Sequence, residues 1–318
     1  MDSENTSSGA LQEVLNTLET DRKKIAETYK TSYILFGLAG VILVIGFLIR
    51  FPALSVFGAL VPAIIGIVMY YKVDDEARKY KNAYKTNIIA SALKEINQTL
   101  TITPQSGLPH YEFVSSELFT TRPDRYNTQD LVNGTADKTS FWFAEVHAEY
   151  KTETRTKNGT RTEWRTIFKG IIFVADFNKN FNVSTVVRPK GIGDAISSWF
   201  SKNVFSFGNS ELVTLENNVF DDIFATYSKN QIEARYILTP AMMERILDLN
   251  KKSDDTISIS FINSKMYIAF PLSHNYFEPP IHSSLLDPDL LSDDLSIVHF
   301  MQNIVQELDL NTRIWGKE

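Results

Sequence analysis

His274, Glu278 and His282 stand four residues apart in the stretch "PLSHNYFEPPIHSS". Two imidazoles and a carboxylate are donors that a zinc ion takes. The spacing follows no established zinc pattern, and Pro279 and Pro280 mark a loop with no obvious rigidity, so no metal is expected there. Asp287, Asp289, Asp293 and Asp294 raise calcium chemistry. The glycine and the bidentate glutamate of an EF-hand loop are missing at the required offsets. Asp293 and Asp294 read instead as carboxylates at the start of the last helix, where they offset exposed N–H groups. Glu145 and Glu149 fall on one side of a strand-like run and are weighed as an acid/base pair against two solvated surface carboxylates. In "NQIEARYILTPAMMERIL", Glu233, Arg235, Tyr236 and Thr239 crowd together, but the residue types are those of helix ends. Asn230 with Glu233 is a capping-box pattern, and Thr239–Pro240 is a cap followed by a first-turn proline. A strand with Ile232, Ala234, Tyr236 and Leu238 inward is the alternative. Neither a G-x-S-x-G elbow nor a phosphate-binding G-x-x-x-x-G-K-[ST] loop occurs, and "GIGD" at Gly191 lacks the context for one. No catalytic residue, metal or cofactor is assigned.

Two surfaces read better as binding surfaces. The first is a charged ribbon around Asn158–Gly159, with Arg155, Lys157, Arg161, Trp164 and Arg165 as candidate partner contacts. Asn-Gly between strand-like runs is a strong hairpin signal, because both turn residues need positive φ. Thr152, Thr154 and Thr156 alternate there with Glu153, Arg155 and Lys157, so neither face is apolar and the tip must project into water. The second is Ala195 to Phe205, where Trp199 and Phe200 beside Lys190 and Lys202 suit a helix lying on a lipid surface. Packing into the core is the reading favoured over the lipid surface for the same helix.

The elements that must position these residues begin with two uncharged runs, Tyr33 to Ile49 and Ala53 to Tyr71. Each approaches the roughly 20 residues a bilayer requires of a helix. Arg50–Phe51–Pro52 supplies the turn. Arg22, Lys23, Lys24 and Lys30 precede the hairpin and Lys72, Arg78, Lys79, Lys81 and Lys85 follow it, against Arg50 alone in the loop. By the positive-inside rule both termini are expected in the cytoplasm. Gly37, Gly40, Gly58, Ala59 and Gly66 are expected to let the spans approach. Apolar stripes in 11–29 and 74–100 predict two juxtamembrane helices, forming a stalk or packing on the domain beyond. The helix either restarts at Asp74–Asp75 or continues from the second span.

The expected organisation is a juxtamembrane helix (1–32), a transmembrane hairpin (33–72), a second juxtamembrane helix (73–100), a linker (101–110) and an α+β domain (111–318). That domain is read as a mixed, mainly antiparallel sheet with segregated helices. A second hairpin alternates Ile257, Ile259 and Phe261 with Met266, Ile268 and Phe270 about Asn263–Ser264. The chain has 318 residues, 43% of them hydrophobic, which suffices for a large core. A net charge of -6 argues against nucleic acid as partner. The absence of cysteine excludes disulfides and thiolate chemistry.

The segments "EWRTIFKGIIFVADFNKNF", "YSKNQIEARYILTPAMMERIL" and "ISISFINSKMYIAFPL", with "RYNTQDLVNG" and "FWFAEVHAEY", resemble the bacterial membrane-associated family catalogued as domain of unknown function 3137. The likeness runs from about Tyr111 to Leu272 and extends to the two spans. It implies a multi-pass protein of the bacterial inner (plasma) membrane, and no activity or site residues come with it. Similar proteins are often encoded near LemA-type membrane proteins, which points to shared assembly. The expected function is a membrane-anchored interaction module. A ligand-binding sensor or a hydrolase built from scattered residues is the alternative.

Overall fold

The structure, a computed structural model, describes residues 2–156, 159–177, 181–190, 210–308 and 310. The chain divides into two units, Met1–Ala92 with Phe277–Asp293, and Leu93–Tyr276 with Asp294–Glu318. The expected single domain over 111–318 therefore gives up one internal segment to the N-terminal unit.

The N-terminal unit is a helical hairpin of α1 (Asp2–Leu48) and α2 (Pro52–Tyr84). Both helices run unbroken from the juxtamembrane segment through the apolar run, and Asp74–Asp75 caps nothing. Arg50, at φ 63, makes the turn. Pro52 opens α2, where a missing N–H leaves no bond unmade. A five-residue π-helical turn, Lys85–Ile89, and α3 (Ala90–Ile96) continue the line.

Both helices are long and apolar enough to cross a membrane, and only 17% and 11% of their most apolar stretches is buried. A soluble core helix hides its apolar face. Here Phe47, Leu54 and Phe57 are each at least 70% exposed. Apolar surface of that extent suits a bilayer. The close-packed glycines match those expected only in part: Gly66 was expected and Gly46 was not. Gly37 and Gly40 face open space, whereas a Cβ on Gly46 would meet Ser55 and one on Gly66 would meet the Phe36 ring at 2.9 Å. Tyr29 lies 5.7 Å from Tyr70, and Tyr33 and Tyr71 join them as an aromatic belt.

Beyond that belt, Leu18, Ile25, Val73, Ala77 and Tyr80 are buried in the hairpin's soluble end. The segment Phe277–Asp293 is strapped to this end by polar contacts. Arg22 donates to the Ile281 carbonyl (2.8 Å), the Tyr80 hydroxyl donates to the Pro280 carbonyl (2.8 Å), and the Leu285 N–H donates to Glu19 (3.0 Å). Glu278 takes Lys81 at 2.8 Å and Lys85 at 2.7 Å.

The second unit is built on a nine-stranded sheet. In chain order the strands are β1 (Thr101–Thr103), β2 (Arg125–Ala136), β3 (Thr139–Thr156), β4 (Gly159–Asp176) and β5 (Thr185–Pro189). They are followed by β6 (Glu211–Val213), β7 (Phe224–Ser228), β8 (Ser258–Ile262) and β9 (Lys265–Pro271). Their spatial order is β1-β2-β3-β4-β9-β8-β5-β7-β6, and every described pairing is antiparallel. With its helices this is an α+β fold.

Both faces of the sheet are covered. On one, Ala144, Val146 and Ala148 of β3, Ile172 and Val174 of β4, and Tyr267 and Ala269 of β9 pack with Phe113 of α4 (His110–Ser115), Leu118 and Phe119. On the other, Phe141 stacks on Phe173 at 5.6 Å, and Phe270 meets Phe300 of the last helix at 5.4 Å. Double coverage explains why β9 is buried along its length rather than at alternate residues. Short edge strands, β1 and β6, end the sheet on either side and limit its open backbone.

Between β6 and β8 lie α5 (Asn218–Ile223), α6 (Gln231–Ile237) and α7 (Pro240–Lys252); α8 (Ser292–Glu307) is the last helix. The polar residues at 230–239 are architecture. Asn230 accepts from the N–H groups of Ile232 and Glu233, and Thr239 from that of Met242. One expectation is corrected. Glu233 does not return to the Asn230 N–H, which bonds the Ser228 hydroxyl; its carboxylate takes the Asn182 N–H at 2.9 Å instead. The stretch expected as a linker, 101–110, is likewise part of the sheet unit. It holds β1, and Leu108 donates to Thr128 and accepts from the Tyr126 hydroxyl.

Candidate functional site

Cross-strand pairing of β2 stops at Arg125↔Glu149 and that of β9 at Gly170↔Pro271. Among the described residues, the β3–β4 hairpin beyond Tyr150, 151–156 paired with 159–165, is therefore a two-stranded ribbon without a third strand on either edge. Asp124 closes one place on it by accepting the Lys151 N–H at 2.7 Å.

Opposed residues of antiparallel strands share a face. Thr154↔Arg161 and Tyr150↔Arg165 thus lie on one face, and Arg155↔Thr160 and Lys151↔Trp164 on the other. The candidate contacts Arg155, Arg161, Trp164 and Arg165 are divided between two faces rather than gathered in one patch; Lys157 lies outside the described residues. Much of the charge is answered locally. Glu153 pairs Lys151, and Glu163 pairs Arg161 at 3.1 Å and Arg165 at 3.9 Å. The Arg125 guanidinium covers Trp164 at 3.5 Å.

Of the lipid-surface candidates, Trp199, Phe200 and Lys202 lie outside the described residues. Lys190 directly follows β5, its N–H bonding the Ile223 carbonyl and its ammonium the Asp221 carbonyl.

Among the described residues no group of His, Asp and Glu could hold a metal. Glu278 is committed to its two lysines. Burial opposes its ionisation, but the lysines outweigh burial and hold the carboxyl below its usual range. Asp293 and Asp294 open α8, as expected. Glu145 and Glu149 are four residues apart on β3, about 13 Å at 3.3 Å per residue. That exceeds the spacing at which paired carboxylates cooperate on one bond. Glu145 is not solvated either. It is 8% exposed, and its oxygens accept from the Tyr276 N–H and from Gln129 Nε2.

Around Glu145 lies a polar cleft of about 250 Å³. Its floor is two cross-strand rows. Register places Asn127 opposite His147 and His147 opposite Lys169; one step along, Gln129 stands opposite Glu145. Its wall is the chain after β9, Leu272, His274 and Asn275, with His274 against Tyr276 at 4.5 Å. Gly170, at φ 151, lets the wall come close: a Cβ there would sit 2.0 Å from the Phe270 carbonyl oxygen. Glu145, His147 and His274 stand out in the sequence, but Asn127, Gln129 and Lys169 do not. Their signal is the hairpin register, and a bulge hides it. Ala148 faces Phe168 while Glu149 faces Thr166, so Ile167 is the extra residue that brings Lys169 opposite His147.

Two other polar groups on the opposite sheet face have structural work. Glu112 accepts from Lys265 (2.8 Å) and from the Tyr267 hydroxyl (3.1 Å), tying α4 to β9. Arg188 donates to the Glu117 carbonyl at 2.6 Å, and burial lowers its guanidinium to about 10, still cationic at neutral pH.

Residues 166–310 match the family described as protein of unknown function (DUF3137). The DUF3137 segment begins and ends later than the resembling motifs read from the sequence. It takes in Lys169, Gly170, Leu272, His274 and Asn275 of the cleft, whereas Asn127, Gln129, Glu145 and His147 come from β2 and β3 before it. No curated protein matches the chain. A solved structure, the mycobacterial trehalose monomycolate transport factor A, TtfA, aligns over 69% of this chain and 93% of its own at 9% identity and a TM-score of 0.35. A likeness that low carries no argument.

Proposed function

We propose that this protein is a membrane-anchored interaction module. The apolar hairpin holds it in the bacterial inner membrane with both termini in the cytoplasm, and the sheet unit presents the β3–β4 ribbon to a protein partner. The observation that carries this reading is the ribbon itself. Beyond Tyr150, no described residue of the ribbon is fully buried, so it contributes little to folding, and open strand edges are what β-augmentation uses. Anchoring both partners in one membrane raises their effective concentration, so weak edge contacts suffice. The flanking lysines and arginines support the orientation, and the resemblance to the DUF3137 family supports a LemA-type membrane protein as one candidate partner.

The test is to replace residues 152–163 with Asn-Gly, which preserves the Lys151↔Trp164 pairing. Among the described excised residues none is buried, so stability should change by no more than about 0.5 kcal/mol. The partner recovered with the intact protein after brief crosslinking in native membranes should disappear. Unchanged recovery from the trimmed chain would remove the ribbon from the account.

A second reading, a ligand-binding sensor, draws on the cleft around Glu145.

A further inference from the structure

The geometry points to a binding site for one phospholipid whose headgroup carries a phosphate and a primary amine, on the exposed face of α1 where it enters the bilayer. The inference rests on the hairpin crossing a membrane and goes beyond the partner reading. A groove of about 560 Å³ lies within the N-terminal unit. Ala26, Glu27, Lys30, Tyr33 and Ile34 of α1 line it, together with His282 of the Phe277–Asp293 segment. Helical spacing puts the α1 residues on one face. His282 is held beside them, because its neighbour Ile281 accepts from Arg22 and the Leu285 N–H is fixed on Glu19.

Arg22, Lys23 and Lys24 each have a carboxylate of their own helix at 2.8, 3.5 and 3.9 Å. Glu27, Lys30 and His282 are exposed, and among the described residues their side chains have no ion-pair partner. Their order along α1 follows that of a phospholipid. Glu27 lies farthest from the apolar run, Lys30 about 4.5 Å nearer it along the axis, and Tyr33 and Ile34 begin it. In an ethanolamine headgroup an ethyl bridge sets ammonium and phosphate a similar distance apart. The amine belongs at the Glu27 carboxylate and the phosphate at the Lys30 ammonium, with His282 as a second donor. The acyl chains then descend past exposed Tyr33 and Ile34. One turn further along that face, nothing lies within 4 Å of where a Gly37 Cβ would stand, so the path stays clear. A headgroup without the amine sets its phosphate against Glu27, and like-charge repulsion opposes it. A trimethylated amine keeps the charge but has no N–H to donate. A free phosphate compound makes no use of the apolar end of the groove, so the occupant is the lipid.

The experiment is native mass spectrometry of the full chain released from nanodiscs of equal parts phosphatidylethanolamine, phosphatidylglycerol and phosphatidylcholine. Phosphatidylethanolamine should stay bound at least about threefold more than either of the others, the scale of one exposed ion pair. Lys30→Gln should lower that adduct by about threefold or more. Glu27→Gln should remove the preference over phosphatidylglycerol and phosphatidylcholine. Both positions are exposed, so both variants should fold. Excess soluble phosphoethanolamine should leave the adduct in place. Equal retention of the three lipids, stronger retention of phosphatidylglycerol, or indifference to either substitution would each overturn the inference. Displacement by phosphoethanolamine would make the groove a site for a free phosphate compound and overturn it too. A chain that stays outside the discs would overturn the membrane reading and the inference with it, whereas one that enters them without a preference would overturn the inference alone.

Discussion

Glu19 and Arg22 are one helical turn apart on α1 and both are buried, with Arg22 Nε and Nη2 each 2.8 Å from a Glu19 oxygen. The hydrogen bonds from Arg22, opposed by burial and helped by the Leu285 N–H, lower the Glu19 carboxyl from its ordinary 4.5 to about 2. A carboxyl depressed in the folded state adds stability above its unfolded value, and that stability is lost as pH falls through the folded one. Protection of the Leu285 amide against hydrogen exchange should therefore be flat above about pH 5 and fall progressively toward pH 2. Glu19→Ala should abolish the dependence and loosen the 277–293 strap by about 2 kcal/mol, the scale of a lost charge-assisted hydrogen bond. A pH profile identical in the variant would show that another group fastens the strap. None of this was visible in the sequence. Arg22 counted there only as one of the positive charges before the hairpin and Glu19 drew no notice, because their buried contacts depend on a segment some 260 residues away.

At the scale of elements, the β3–β4 hairpin is both the most legible feature and the one that conceals the cleft. Asn158–Gly159 announces the turn, and a threonine-rich, two-faced polar run announces the projecting tip. The bulge at Ile167 leaves no comparable mark, and one extra residue decides whether Phe168 or Lys169 faces His147. Gly170 lies three residues after that bulge, where β4 tolerates a side chain poorly. Gly170→Ala would force a Cβ against the Phe270 carbonyl in a backbone conformation that alanine rarely adopts. It should cost at least about 2 kcal/mol, read as a lowered urea midpoint for the sheet unit in detergent. A loss below about 0.5 kcal/mol would mean that β4 and the end of β9 separate easily and the cleft wall is not fixed. Helix ends were the other legible elements. Asn230, Thr239 and Pro240 act as their types require, while Glu233 took a tertiary partner that local pattern could not foretell.

For the whole molecule, composition and hydropathy pointed to an apolar hairpin followed by an α+β unit, because burial and bilayer length leave broad marks in a sequence. The division into units was less legible. The return of 277–293 to the helical hairpin rests on single long-range contacts, and the edge strand at 101–103 is too short to carry a pattern. The central claim concerns the assembled protein: the sheet unit, on the cytoplasmic side of a membrane, offers its ribbon to a partner. The most direct measurement places a photoreactive residue at Thr154 and, as a control, at exposed Glu244 on α7. Inside-out vesicles are irradiated, and half of each sample is treated with protease. The account predicts one discrete higher-mass product from position 154, none from 244, and digestion of the sheet unit in the protease-treated half. A protected sheet unit, or the same products from both positions, would contradict it.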